Sequence, residues 1–139
     1  MILESVDCRE LVARAVDPDA LRRSVPIRVR KSAFIPRANG QDNDGLSVTM
    51  VGDDTLKRLR QRLGAPDKEG ITLHVGHVRE ISANGRRLDV TADPIENDAD
   101  HALIIGFPPR HPAESAEEKA VWNRLADLLS QQARCCLTA

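Results

Sequence analysis

The chain has 139 residues, 41% hydrophobic, 29% charged and 2% aromatic, with 20 Lys+Arg against 21 Asp+Glu and a formal net charge of −1. That length and apolar share suit one domain spanning residues 1–139. With only Phe34, Phe107 and Trp122 as aromatics, there is no base-stacking platform, aromatic cage or interfacial aromatic belt. No apolar run approaches the ~20 residues needed to span a bilayer, so no membrane partner is expected.

The segment Met1-Ile-Leu-Glu-Ser-Val-Asp7 has neither a basic n-region nor a small-residue cleavage site, which reads as a cytoplasmic protein. Cys8, Cys135 and Cys136 agree, since three cysteines cannot all pair internally and adjacent ones make a poor structural staple. Cys8 reads as a small apolar core residue, and residues 135–139 as a frayed tail.

In chain order, residues 7–16 place Leu11, Val12, Ala15 and Val16 on one side and Arg9, Glu10 and Arg14 on the other, with Pro18 beyond. That is the pattern of a short amphipathic helix. Residues 25–35 alternate, with Ile27 and Val29 opposed to Arg28 and Arg30, as in a strand with one wet face whose start Pro26 restricts. A turn-rich stretch to Gly45 and the face Leu46, Val48 and Met50 suggest that a second strand pairs with the first as a long-tipped hairpin, with Asp44-Gly45 supplying positive φ.

Asp53 or Asp54 then caps a helix carrying Leu56, Leu59 and Leu63, closed by Gly64 and Pro66. Asn84-Gly85 between residues 71–82 and 86–92 predicts a type I′ hairpin that pairs Ile81 with Leu88. Residues 101–107 suit a buried central strand. Ser115-Ala-Glu-Glu118 is a capping box opening a helix to about Arg134, with Val121, Trp122, Leu125, Leu128 and Leu129 as its packing stripe. The order α-β-β-α-β-β-β-α implies an α+β fold with a mainly antiparallel sheet of about five strands and the helices on one face.

Chemical motifs are sparse. His74 and His77 lie three apart, so a regular strand would turn them to opposite faces, with His77 and Arg79 sharing a face with Ile71, Leu73, Val75 and Ile81. A bulge at Gly76 would instead bring both histidines to one side and turn Val75 and Val78 inward. Neither version completes a zinc set, and no metal is expected. His101 follows Asp93, Glu96, Asp98 and Asp100, neighbours that favour a charged imidazole. His111, between Pro109 and Pro112, reads as an exposed loop residue. The tip 42–45 lacks the spacing and final Glu of a calcium loop. No nucleophile elbow, phosphate loop or other cofactor motif occurs, so no cofactor is expected.

Charge distribution is the most distinctive feature. Residues 20–66 hold ten basic residues against four acidic, a net +6, flanked by −3 before and −4 after. Arg28 and Arg30 on one strand face, with Arg58 and Arg62 on one helix face, form a candidate binding patch. Arg rather than Lys dominates, which suits bidentate contact with carboxylate or phosphate. The leading expectation is a small non-catalytic binding or adaptor domain acting through protein contacts or self-association. A nucleic-acid accessory protein using the arginine patch on phosphates is the alternative. A third reading is an enzyme in which His77, Arg79 and His101 converge in one pocket.

Overall fold

The computed structural model describes residues 6–36, 42, 44–108 and 115–137. The loop tip at 37–41 and 43, the first five residues and His111 lie outside the described residues. The elements run β1 (Leu11–Val16), β2 (Leu21–Arg22), β3 (Arg28–Val29), β4 (Leu46–Met50), α1 (Thr55–Leu63), β5 (Glu69–His74) and a single helical turn α2 (Val75–Val78). They continue through β6 (Ser82–Ala83), β7 (Arg86–Arg87), β8 (Asp89–Ala92), β9 (His101–Ile105), α3 (Ala116–Gln132) and β10 (Arg134–Leu137). Short 3₁₀ turns occupy Pro18–Ala20 and Lys31–Phe34.

Six strands form one sheet in the order β10-β5-β1-β4-β9-β8, with every neighbouring pair antiparallel. The α+β class and the mainly antiparallel sheet are therefore present. No described helix is long and apolar enough to cross a membrane.

The element order differs from the expected one at its first member, because residues 11–16 form β1 rather than a helix. β1 lies inside the sheet, where Val12, Val16 and also Ala13 on the opposite face are buried. A strand covered on both faces loses its period-two alternation, and its apolar residues then imitate a helical stripe.

The helices also occupy both faces, not one. Val12, Val48, Ile71, Leu73 and Ile104 join Val121, Leu125 and Leu129 of α3 in the main core. Leu56 and Leu59 of α1 are buried outside that cluster. Gly70 pairs with Ala15 and so shares the face of Ala13; a Cβ added there would lie 3.1 Å from Leu56 Cδ1. Thus α1 packs on the sheet face turned away from α3.

The expected pairing of residues 25–35 with β4 does not form. Ser24 donates its backbone N–H to the Arg22 carbonyl (2.8 Å) and its hydroxyl to the Pro26 carbonyl (2.8 Å), folding the chain back at once. β3 therefore meets β2 immediately upstream in a two-residue ribbon, and β4 pairs with β1 and β9 instead.

The Asn84-Gly85 turn forms with positive φ at both residues (51° and 79°). The Leu88 N–H donates to the Ile81 carbonyl at 3.0 Å, the expected pairing. The hairpin is short because residues 75–78 turn helical, leaving β5 to pair with β1 and β10 and β8 with β9. That helical turn buries Val75 and Val78 together, the burial expected of a bulge at Gly76, by a different backbone route.

Asp54 takes left-handed φ (56°) and makes no cap. The Thr55 hydroxyl instead bonds both the N–H and the carbonyl of Gly52, at 2.8 and 2.9 Å. Both halves of the Ser115 capping box form, each at 3.1 Å. Arg134, expected to end the last helix, and residues 135–137, expected to fray, instead form the edge strand β10 beside β5, because Ala133 is buried at the end of α3 and directs the chain onto the sheet. Cys135 and Cys136 on that strand are joined by a disulfide. Cys8, expected in the core, is an exposed free thiol, since the turn after Asp7 holds it outside the sheet.

Candidate functional site

The basic segment divides between two places. In the first, Arg22 and Arg28 stand directly opposite each other on the β2–β3 ribbon, anchored by buried Leu21 and Val29. The Arg30 N–H donates to the Ala20 carbonyl (2.7 Å), and Lys31 opens the following 3₁₀ turn. Across from the ribbon lie the end of α3 and the start of β10. There Arg134 Nη1 reaches the carbonyls of Gln131, Gln132 and Ala133 at 3.4, 3.3 and 3.2 Å, where a cation complements the helix dipole.

Between these walls runs a groove of about 1100 Å³. It is lined by Arg22, Arg28, Arg30, Lys31 and Arg134 together with apolar Pro26 and Ile27. Asp127 is the one acidic residue in that lining, and it already faces Arg124 (3.4 Å) and Gln131 (3.3 Å). Arg22, Arg28, Arg30 and Lys31 are exposed and have no ion pair with a described residue. Like charges directly opposite on a ribbon repel, so this end of the molecule carries positive charge that no described residue pairs.

In the second place, α1 presents Arg58 and Arg62 to the loop between β8 and β9. Arg58 lies 3.4 Å from Asp100, and both side chains are nearly half exposed. Arg62 lies 3.9 Å from Asp98, with side chains only 17% and 8% exposed. Asp98 is held by the Thr49 hydroxyl (2.8 Å) and the Asp100 N–H (3.0 Å). The acidic run after residue 92 thus folds back on this half of the basic segment. The four patch arginines are not brought together: Arg28 and Arg30 line the groove, while Arg58 and Arg62 line a separate pocket with Thr49 and Asp98.

The histidine and arginine candidates are dispersed as well. Arg79 donates to Asp89 Oδ1 (2.7 Å) and to the Val90 carbonyl (3.2 Å). Burial pushes the Asp89 carboxyl up, but hydrogen bonds from Arg79 and the Val90 N–H, with the Arg79 and Arg87 charges, outweigh it and hold the group below its ordinary value. His77 is exposed and packs its ring on His74, with centroids 4.5 Å apart.

His101 is buried, with Nδ1 2.8 Å from the Asp93 carbonyl and 3.3 Å from its carboxylate. Asp89, the partner of Arg79, pairs with Ile105, four residues along β9 from His101, which is about 13 Å at strand spacing. Arg79 and His101 therefore serve different carboxylates. Among the described residues no group of three or more His, Cys, Asp or Glu is placed to hold a metal ion.

Sequence reasoning missed Arg22, Lys31 and Arg134 as groove residues. Ser24 and Pro26 were the available turn signal for the ribbon that sets Arg22 against Arg28; nothing local to Arg134 announces its place. Compared with protein-family models, curated proteins and solved structures, the chain matches none.

Proposed function

We propose that the chain is a non-catalytic binding domain whose basic groove receives an acidic protein segment, from another protein or from a second copy of this chain. The observation that carries this reading is the set Arg22, Arg28, Arg30 and Lys31, which lines one groove without an acidic partner among the described residues. An incoming carboxylate relieves the repulsion between Arg22 and Arg28 and meets guanidinium forks suited to it. Pro26 and Ile27 offer apolar contact to its neighbouring side chains.

Two features favour a short acidic segment over a nucleic acid. The groove lining carries a net +4 on a chain of net charge −1, so the rest of the molecule is negative and opposes a polyanion running past the groove. Its lining also holds no aromatic side chain on which bases stack.

Fluorescence anisotropy with a labelled oligoglutamate peptide, beside single-stranded and duplex DNA of matched charge, tests the reading. Peptide binding that weakens with salt, and about tenfold on combined Arg28→Ala and Arg30→Ala substitution, is expected. Tighter binding of DNA would transfer the groove to phosphate recognition. No binding to either at low salt would overturn the proposal, and sedimentation against concentration shows whether the partner is a second copy.

A further inference from the structure

We infer that the pocket beside α1 is a site for a small zwitterion of the α-amino-acid kind, a second site that does not depend on the reading of the groove. Arg58 and Arg62 are four residues apart on α1 and so emerge on one side of it. With Thr49, Leu59, Asn97 and Asp98 they line a cavity of about 320 Å³, at the small end of the range for ligand pockets.

Arg62 is the informative residue. Its side chain is 17% exposed, yet its one polar contact with a described residue is the 3.9 Å approach to Asp98, too long for a hydrogen bond. A guanidinium carries five donors, and leaving them unspent in a largely desolvated place is costly. Among the described residues no acceptor lies within hydrogen-bond distance of this guanidinium, so its donors are placed for one that comes from outside.

The charges around the pocket decide the class of ligand. Arg58 and Arg62 face Asp98 and Asp100, two cations against two carboxylates. Asp98 is immobilised by Thr49 and the Asp100 N–H, whereas Asp100, outside the lining itself, faces the lining residue Arg58 and is nearly half exposed. A multiply charged phosphate would add its whole negative charge to a set in which two cations already balance two carboxylates. A zwitterion brings one charge for each side: its carboxylate takes the N–H groups of Arg62 and Arg58, and its ammonium takes Asp100. Leu59 is the apolar wall for a small side chain.

Thermal shift and titration calorimetry of the full chain test this with the twenty standard L-amino acids. Propionate, ethylamine and inorganic phosphate serve as controls at matched ionic strength. At least one amino acid is expected to raise Tm by about 3 °C at about 10 mM, with no comparable rise from the three controls. Arg62→Met weakens that binding about tenfold or more, and Asp100→Asn narrows the gap between the amino acid and its deaminated analogue. Combined Arg28→Ala and Arg30→Ala leaves it unchanged, which separates this site from the groove.

Absence of any amino-acid effect at about 10 mM, a dissociation constant well above about 1 mM being too weak to register, overturns the inference. So does phosphate binding as well as the best amino acid, or unchanged binding by Arg62→Met. Should Arg62→Met lower the Tm of the free chain, Arg58→Met at its half-exposed position carries the same expectation, and unchanged binding by that variant overturns the inference equally.

Discussion

Arg28 and Arg30 face a groove whose one acidic residue is already engaged, while Arg58 and Arg62 face two aspartates from the loop before β9. Both pairs come from the same stretch of basic sequence, yet only the second has carboxylates of the chain itself set against each arginine. What separates them is whether an acidic loop folds back over them. Exposure follows the same division: Arg28 and Arg30 are open to water, whereas Arg62 and Asp98 are largely withdrawn from it. The groove is therefore expected to govern binding with little influence on stability, and the α1 pocket to contribute to both.

The largest expected effect tests the paired region. Asp98→Ala removes the acceptor for Thr49 and Asp100 and leaves Arg62 without its counter-charge, so urea denaturation should show a loss of about 3 kcal/mol. A loss under about 1 kcal/mol would mean that this half is no more internally committed than the groove.

Next in size, combined Arg28→Glu and Arg30→Glu should weaken oligoglutamate binding about a hundredfold, or ~2.7 kcal/mol, while moving stability by no more than about 1 kcal/mol. A fall in stability comparable with that of Asp98→Ala would dissolve the distinction. Arg22→Ala is a finer probe. By relieving its repulsion with Arg28 it should leave stability unchanged or raise it by up to about 0.5 kcal/mol, and a clear destabilisation would show that Arg22 has an internal role.

The smallest effect is a control at a third place. Asp89 has its folded-state carboxyl held below the ordinary value of 3.8. The stability it contributes is present above that value and lost as pH falls through the lower, folded one. Asp89→Asn should remove that share of the acid-side decline while leaving peptide binding untouched. Its size is about 0.5 kcal/mol, because the carboxylate is half exposed and screened. An unchanged acid limb in the variant would show that Arg79 and Asp89 do not act as a folded-state pair.

Local signals in the sequence were legible where they close on themselves. The Asn84-Gly85 turn, the Ser115 capping box and the apolar run of β9 all appear as their residues suggest, because each is decided within a few positions. β1 was not legible, since only tertiary cover on both faces reveals it as a strand. The same holds for β10, whose place beside β5 depends on where α3 sets the chain down.

For the site, the basic excess of residues 20–66 was visible, as was the alternation of Arg28 and Arg30 with buried Val29. The separation of Arg58 and Arg62 was not, because it depends on Asp98 and Asp100 from a loop some forty residues further along. His77, Arg79 and His101 looked equally available in sequence, but Asp89 and Asp93 draw Arg79 and His101 apart.

The edge strand β10 has one more consequence, for the order in which the domain is completed. Arg28 and Arg134 stand about 100 residues apart in the chain and on opposite walls of the groove, and chains emerge from synthesis at roughly 5–20 residues per second. The ribbon cations are therefore made seconds before α3 and β10 exist to face them. A partner selected by the whole groove meets it only after α3 and β10 have folded against the ribbon, so recognition itself reports that this closing step has taken place.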